Sequence, residues 1–485
     1  MLTDKNIGSN FLAMAQKNPD LLAMVRDDSL LNYEQFALVV LSFAKKMQSL
    51  GVEQGSVIAI DTDDALDAFA SLMASSLLGA KWIAYKNYAI LSSVVQPTHW
   101  FQSSSFGDTE FVQFEKIDAS WFPGEDAVLS TVPEFDIAID EDEPWLYVNT
   151  SGTTGTPKLL SISQDLMLKR SKAVSDDFVE RQTVFCSLFG CVAFPYLTRA
   201  IACLVNGCTI VDSLDFALWN KASVNMVYGS LTQVNALMAG VSLSQKFPLI
   251  HVSGAKLTDE LAVDLLENFE KVIDLYASTE TNRSYKNIKY IAEDGTLITK
   301  GQALDSIVEI IDSAGNPCLP GQNGVIRVKN PYLVRGYLNN PEAQAASFKD
   351  GWFYSGDFGM WGINGELEVK GRVGDVINLG GVKVNAAEID KTLKSVDGIA
   401  DAMCFKNPDE NDTDQLLAFV VFEDGVDNIE RAKSANEACV EALGALRTPR
   451  RLVEVNVVPR AHDGGAQRWL CQNLYRENRA KMSSA

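Results

Sequence analysis

Apolar residues recur at helical spacing between residues 31 and 52, and Gly51 interrupts the pattern. The short apolar run 57–60 follows, so this spacing predicts a helix and then a strand. A second helical pattern, 65–79, is followed by another short apolar run, 81–85. Because strands and helices alternate, this part of the chain predicts a parallel sheet with crossover helices.

The periodicity fades in residues 89–143, where turn residues and acidic residues are mixed and a connection is expected. The apolar and aromatic run 145–148 then predicts a strand that leads into the string YVNTSGTTGTPK, residues 147–158. Glycines let the backbone bend tightly, so that its N–H groups can point at one anion. With the hydroxyls and the lysine, these groups are suitable donors for the oxygens of a polyphosphate. Composition alone favours an ordinary surface turn, and the spacing does not match a Walker loop.

Length and composition restrict the class of protein. A chain of 485 residues is too long for one ordinary core, so two or more domains are expected. Hydrophobic residues make up 47% and charged residues 22%, as in globular proteins. The formal charge of -21 argues against nucleic acid as a partner, because a phosphate backbone needs a basic face.

Targeting and metal signals are weak. We see neither the apolar segment of a signal peptide nor an apolar run of the ~18 residues that span a membrane. The densest cysteine group has apolar neighbours and comprises Cys186, Cys191, Cys203 and Cys208. Without a CxxC pair, buried free thiols are favoured over zinc, and a cytoplasmic location is expected.

The string TSGTTGTPK resembles the phosphate loop of the adenylate-forming superfamily, which includes acyl-CoA synthetases, adenylation domains of nonribosomal peptide synthetases and firefly luciferase. The resemblance implies contact with ATP phosphates, and a catalytic role for Lys158. It assigns ATP contacts to Thr150, Ser151, Gly152, Thr153, Thr154, Gly155, Thr156 and Lys158. The helical pattern that starts at Gln164 is expected to add its N-terminal dipole to this site.

The string DLYASTE resembles the YGxTE motif of the same superfamily. The resemblance implies that Tyr276 stacks on the purine, that Thr279 bonds a phosphate and that Glu280 holds Mg²⁺, with the last two catalytic. It places further nucleotide contacts at Ala277, Ser278, Gly254 and Ala255. From the residues alone, a helix cap after a buried strand is an equal alternative.

The string GWFYSGD resembles the GWFxTGD motif, which implies that Asp357 accepts hydrogen bonds from the ribose hydroxyls. Read alone, Asp357 in a tight turn more often caps that turn. The resemblance further places Arg372 beside the ribose and phosphate, and the hinge between two domains at Asp375. It assigns the tunnel for a thiol acceptor to Gly380 and Gly381.

The region around residues 184–211 corresponds to the acid pocket of the superfamily. Amino-acid-activating members often carry an aspartate after a phenylalanine here, whereas this chain has Gly190 after Phe189, with Phe194 nearby. An uncharged apolar pocket has no partner for an ammonium group. We therefore expect an aryl or acyl carboxylic acid without an α-amino group, although each residue is as easily explained as core.

The chain departs from the superfamily at its C-terminal motif, PxTxxGK. In VVPRAHDGGAQRWL, Pro459, Gly464 and Arg468 match, but Gly465 occupies the lysine position. Losing such a cation costs ~100 to 1000-fold in rate, so impaired adenylation is expected. Either Gly465 replaces a lysine of the natural protein, or the protein works without one, with Arg460 or His462 as a substitute.

The resemblance covers nearly the whole chain and implies an α/β fold. A large multi-subdomain N-terminal domain with parallel sheets (1–374) would precede a small mobile α+β domain (375–485). Acyl-AMP would form from a small carboxylic acid and Mg-ATP, and the acyl group would pass to CoA or to the phosphopantetheine of a carrier protein in trans. Two alternatives remain: an amino-acid-activating enzyme that loads a carrier protein, and a nucleotide-binding protein with impaired adenylation.

Overall fold

The structure is a computed structural model. It describes residues 5–85, 94–106, 114–124, 126–129, 133, 135, 137, 139–150, 158–174, 182–255, 257–312, 314–373, 376–379, 382–407, 415–423, 428–460, 466 and 468–483. Up to Thr150 the elements are α1 (Ile7–Lys17), β1 (Leu22–Arg26), β2 (Leu30–Asn32), α2 (Tyr33–Ser49), β3 (Val57–Asp61), α3 (Ala65–Leu77), β4 (Lys81–Ala84), β5 (His99–Ser103), β6 (Glu115–Ile117) and β7 (Pro144–Thr150).

The middle of the chain contains most of the strands. Its elements are β8 (Lys158–Ser163), α4 (Gln164–Lys172), β9 (Val184–Ser187), α5 (Phe194–Val205), β10 (Thr209–Asp212), α6 (Phe216–Ala222), β11 (Met226–Ser230), α7 (Leu231–Met238), β12 (Phe247–Ser253), α8 (Asp259–Leu266), β13 (Phe269–Ser278), β14 (Asn282–Ile291), β15 (Leu297–Ala303), β16 (Ile307–Ile311), β17 (Asn323–Lys329), α9 (Pro341–Ser347), β18 (Phe348–Lys349), β19 (Trp352–Trp361) and β20 (Leu367–Arg372).

The last part of the chain is smaller and mixed. Its elements are β21 (Val376–Leu379), β22 (Val382–Asn385), α10 (Ala386–Lys394), β23 (Ile399–Lys406), β24 (Leu416–Phe422), α11 (Asn428–Leu443), β25 (Arg451–Glu454) and α12 (Arg468–Ser483).

The first sheet confirms the predicted alternation of strands and helices. Its order is β6-β5-β3-β4-β7-β8, and all neighbours are parallel except β7 and β8. Asn32 caps α2 in a reciprocal capping box with Gln35, and Asp64 caps α3. Every residue of α3 is buried, since its alanines and serines let neighbouring layers approach closely.

The second sheet positions most of the candidate site. Its order is β15-β14-β13-β12-β11-β9-β10-β1-β2, with a parallel centre from β13 to β1. The carboxyl ends of β9, β11, β12 and β13 therefore lie at one edge, where α/β proteins bind ligands. A third, antiparallel sheet has the order β16-β17-β19-β18, with β20 paired to β19.

The C-terminal part packs around its own core. The strands β23, β24 and β25 form a three-stranded sheet, preceded by the β21–β22 hairpin. Two hydrophobic clusters, one including Ile389 and Cys439 and the other Met403 and Cys471, contain only residues after 376. The α/β fold class with a small α+β C-terminal part is thus confirmed. The boundary at residues 374 and 375 lies outside the described residues.

The four cysteines of the dense group are all buried, and none of them forms a disulfide with a described residue, as expected. Among the described residues, no three His, Cys, Asp or Glu side chains form a group suited to a metal ion. None of the described helices has both the length and the apolar character needed to cross a membrane.

Asp67 gives a pH-dependent prediction for stability. Burial raises the pKa of its carboxyl from 3.8 to about 6, although Ser103 Oγ donates to Oδ2 at 2.5 Å. The folded state therefore holds this proton more tightly than the unfolded state, and the stability contributed by Asp67 falls as pH rises from about 4 to 6. Replacing Asp67 with asparagine should leave the melting temperature unchanged near pH 4 and stabilise the protein by about 3 kcal/mol above pH 6.

Thermal melts of Asp67→Asn across pH 4 to 8 check this expectation. The exposed neighbour Asp63 supplies the matched control, because Asp63→Asn changes the same formal charge without removing a buried carboxylate. A melting-temperature difference that is equal at pH 4 and pH 7 would contradict the assignment to Asp67.

Candidate functional site

The predicted phosphate loop joins two antiparallel strands. Thr150 ends β7 and pairs with Lys158, the first residue of β8, so the two ends of the loop are held together. Residues 151–157 lie outside the described residues. The helix expected at Gln164 is present as α4, and it begins directly after the six residues of β8. The contribution of its N-terminal dipole to the phosphate site stays a prediction.

The base of this loop meets the turn after β13. Glu280 is 6% exposed, and the Tyr337 hydroxyl donates to its Oε1 at 2.6 Å. The Lys158 ammonium lies 4.8 Å from the centre of the Tyr337 ring. Burial lowers the pKa of Lys158, and attraction by Glu280 partly opposes that shift. We call Lys158, Glu280 and Tyr337 the Glu280 cluster.

Arg170 on α4 fixes the turn that carries Glu280. Its Nη2 donates to the Tyr332 carbonyl at 2.8 Å and to the Thr279 and Glu280 carbonyls at 3.2 Å each. The side chain is 2% exposed, and burial lowers its pKa to about 9, which still leaves it charged at neutral pH. The guanidinium therefore holds Thr279 and Glu280 at the base of the loop.

A second group connects β13 to β19 and β20. The Tyr276 hydroxyl donates to Asp357 Oδ2 at 2.7 Å, and its oxygen lies 2.8 Å from Ser355 Oγ. Arg372 Nη1 lies 2.9 Å from Asp357 Oδ1. Burial, followed by the negative charge of Asp357, holds the pKa of Tyr276 well above its usual range. Each Asp357 oxygen keeps a further lone pair for another donor.

Asp357 does not lie in a tight turn, so the alternative that it only caps a turn is wrong. It lies within β19, opposite Arg372 on β20. The preceding Gly356 has φ +76°, and the pairing of β19 with β17 is irregular between Val325 and Arg327. Such a bulge redirects a side chain, and here the carboxylate of Asp357 meets Tyr276.

The remaining nucleotide residues lie at the same edge of the second sheet. Gly254 and Ala255 directly follow β12 and are exposed, while Ala277 and Ser278 end the adjacent parallel strand β13. Gly254 has φ +86°, a conformation that favours glycine. Of the residues predicted for adenine, ribose and phosphate, those that the structure describes lie around the carboxyl ends of β12 and β13.

The predicted acid pocket is apolar but not uncharged. Phe189 packs on Tyr228 with ring centres 4.9 Å apart, and a side chain at Gly190 would point into open space. Phe194 starts α5 and is half-buried. The guanidinium of Arg199 stacks on the Tyr228 ring, with its central carbon 3.5 Å from the ring centre. The expectation of an uncharged pocket is therefore wrong, and the new charge disfavours an ammonium group further.

Several predicted residues lie outside the described residues and stay predictions, namely Ser151, Gly152, Thr153, Thr154, Gly155, Thr156, Asp375, Gly380, Gly381 and Gly465. His462 also lies outside them. Arg460 is described, and its guanidinium contacts Asp401, with Nε 2.8 Å from Oδ2. This pairing leaves Arg460 poorly suited to replace a catalytic lysine.

Three residues of the site were not predicted from the sequence, namely Arg170, Tyr337 and Arg199. Arg199 had a usable signal, since it is the single charged residue in the apolar stretch 184–211 before Asp212. Arg170 lies among other basic residues, and Tyr337 in a mixed segment, so neither stands out locally.

Comparisons with known proteins agree with this geometry. The model of the AMP-binding enzyme family matches residues 93–338, half of the chain, and that of the AMP-binding enzyme C-terminal domain matches residues 388–464. The 2-succinylbenzoate–CoA ligase of Bacillus licheniformis is 25% identical over 481 residues, which cover 92% of this chain and 95% of that protein. An oxalate–CoA ligase of Arabidopsis thaliana is 25% identical over 378 residues, 71% of either chain.

A solved structure has the same fold. The o-succinylbenzoate CoA synthetase of Bacillus subtilis, in complex with its acyl-adenylate intermediate, superposes with a TM-score of 0.79 at 20% identity and covers 96% of this chain and 97% of that one. Because the family models match and the fold is shared, the chain belongs to the AMP-binding enzymes of the adenylate-forming superfamily.

Proposed function

We propose that the chain activates a small carboxylic acid with ATP to an acyl-adenylate and transfers the acyl group to the thiol of CoA. The observation that carries the proposal is the convergence of the Glu280 cluster with the Tyr276, Asp357 and Arg372 group around the carboxyl end of β13. Relatives named as CoA ligases at similar length support the same reaction class.

The first step would occur between the two groups of residues. A carboxylate oxygen of the acid attacks the α-phosphorus of ATP, and pyrophosphate leaves. Lys158, at the end of the loop, would bind a phosphate oxygen of ATP. Asp357 would orient the ribose by accepting hydrogen bonds from its hydroxyls. Fixed donors around developing negative charge are the main way that proteins accelerate such reactions.

Glu280 fits a magnesium ion as its protein ligand. Within the described residues, Oε1 takes the Tyr337 hydrogen bond and Oε2 is left for a cation. Mg²⁺ is typically held by one or two carboxylates together with substrate phosphates and water. When bound, the ion would neutralise charge on the phosphates. A solved relative of this fold contains ATP and a magnesium ion.

In the second step a thiol attacks the acyl carbonyl and AMP leaves. We assign the thiol to CoA, because the relatives matched over nearly their whole length are CoA ligases. Transfer to a carrier protein in trans is the second outcome to test. We further propose that residues 375–485 rotate about Asp375 between the two steps, with Gly380 and Gly381 lining the thiol path.

The experiment that tests the proposal is acid-dependent release of pyrophosphate from Mg-ATP over a panel of aryl, short-chain, fatty and amino acids. CoA and a phosphopantetheinylated carrier protein are then offered as acceptors to the active acid. We expect turnover with one class of acid and a CoA thioester as product. Binding of ATP without turnover for any acid, also in Gly465→Lys, would contradict the proposal and favour a nucleotide-binding protein.

Arg170 gives a quantitative prediction for magnesium. Lysine at this position keeps the charge but cannot reach three carbonyls, so the turn of Thr279 and Glu280 loosens. We expect Arg170→Lys to weaken apparent Mg²⁺ affinity 10- to 100-fold, as for other groups that support a metal ligand. Titration of activity with Mg²⁺ measures the shift.

The matched control is the exposed Lys169 on the same helix, which pairs with Asp165. Lys169→Gln should leave the Mg²⁺ titration unchanged. If Arg170→Lys lowers activity equally at all Mg²⁺ concentrations, Arg170 supports the fold rather than the position of Glu280.

A further inference from the structure

Arg199 is a buried cation next to the acid pocket. It is 8% exposed, and Nη2 has no hydrogen-bond partner within the described residues. Its Nη1 reaches only the Pro195 carbonyl, at 3.5 Å. No described carboxylate contributes to its electrostatic surroundings, where burial lowers the pKa and Tyr228 is the main group that raises it. A buried guanidinium without an anionic partner is rare, because its desolvation is strongly unfavourable.

The guanidinium lies where the acid is expected. Pro195 is one turn nearer the start of α5, so the Arg199 side chain points back toward Phe194. Its partner ring, Tyr228, also packs on Phe189. The Tyr228 hydroxyl is 3.0 Å from Ser253 Oγ at the carboxyl end of β12. Arg199 therefore lies at the same sheet edge as the nucleotide residues.

We propose that the acid substrate is a dicarboxylic acid, and that Arg199 binds the carboxylate that does not react. This inference rests on the proposed function and names its substrate class. A planar guanidinium stacked on an aromatic ring presents its edge to a carboxylate, which can accept two parallel hydrogen bonds. The rings of Phe189 and Phe194 would pack against the apolar segment between the two carboxylates.

The positive charge of Arg199 would also select against amino acids and monocarboxylic acids. An amino acid would bring its ammonium group toward a buried cation, and a monocarboxylic acid would leave the guanidinium unpaired. Specificity then arises from an unpaired charge in the wrong complex as much as from a new contact in the right one.

The test compares acids of equal length that differ by one carboxylate, such as glutarate with valerate, adipate with hexanoate and homophthalate with phenylacetate. Pyrophosphate release with Mg-ATP is measured for the full chain carrying Gly465→Lys, with Arg199 intact or replaced by methionine or lysine. We expect the parent to prefer the diacid of at least one pair about 100-fold or more in kcat/KM. Arg199→Met should lose about that factor on the diacid only, and Arg199→Lys should recover part of it.

The control variant is Lys169→Met, which removes one exposed positive charge and should leave every ratio unchanged. Equal rates within each pair for the parent, or an equal loss on both members in Arg199→Met, overturn the inference while the ligase proposal stands. If Arg199→Met does not fold, the test rests on the parent alone, through its ratio of kcat/KM for the diacid to kcat/KM for the matching monocarboxylic acid. Absence of turnover with any acid in all variants overturns both.

Discussion

Replacing Gly465 with lysine should raise acid-dependent pyrophosphate release by about 100-fold or more. Lysine is the residue that the superfamily motif carries at this position, and the flanking residues Gly464 and Arg468 match the motif. A preorganised cation facing the carboxylate and α-phosphate is worth ~100 to 1000-fold in rate. The gain should appear in kcat for the adenylation step, because the negative charge that the lysine stabilises develops on the α-phosphate in that transition state.

Two controls make the result specific. Gly465→Met adds a chain of comparable length without charge and should gain little. Arg460→Gln tests the alternative that a neighbouring cation already replaces the lysine; because Arg460 is paired with Asp401, we expect loss of stability and no further loss of adenylation. A parent chain that already turns over at the rate of Gly465→Lys would show that adenylation is not impaired.

Removing the charge of Glu280 should reduce adenylation by ~100 to 1000-fold. Glu280→Gln keeps the side chain's size and an oxygen that can accept the Tyr337 hydroxyl, so the turn held by Arg170 should persist. What is lost is the negative charge beside Lys158 and the ligand proposed for Mg²⁺. The measurement is pyrophosphate release at several Mg²⁺ concentrations in the Gly465→Lys background.

Tyr337→Phe is the matched control for Glu280. It removes the hydroxyl that donates to Oε1 at 2.6 Å but leaves the carboxylate charged. One hydrogen bond to a charged group is worth roughly 1.5 to 3 kcal/mol, so a loss of about 10- to 100-fold is expected, smaller than for Glu280→Gln. Glu280→Gln activity within threefold of the parent would contradict the metal-ligand role.

The fold was largely predictable because its signals are local. Helices α2 and α3 and strands β3 and β4 follow from spacing of apolar residues, and the glycines at 51 and 79 mark where the helices end. The motif residues Lys158, Tyr276, Glu280 and Asp357 were likewise found as strings. Their proximity could not be predicted from those strings, because Lys158, Tyr276 and Asp357 belong to three different sheets.

What the sequence did not reveal depends on distant contacts. Arg170 reaches residues 109 and 110 positions further along the chain, and no local pattern marks such a contact. The hairpin of β7 and β8 was missed, since no strand was predicted for residues 158–163. Arg199 lies in an apolar stretch of the sequence, and only the fold reveals that its Nη2 has no hydrogen-bond partner among the described residues.

The most direct test of the central claim follows the oxygen atoms of the acid. The active acid is prepared with ¹⁸O in its carboxylate and allowed to react with Mg-ATP and CoA, and the AMP released is analysed by mass spectrometry. If a carboxylate oxygen attacks the α-phosphorus and the thiol later displaces AMP, each AMP carries one ¹⁸O atom. Unlabelled AMP, or label found in orthophosphate together with ADP, would contradict formation of an acyl-adenylate.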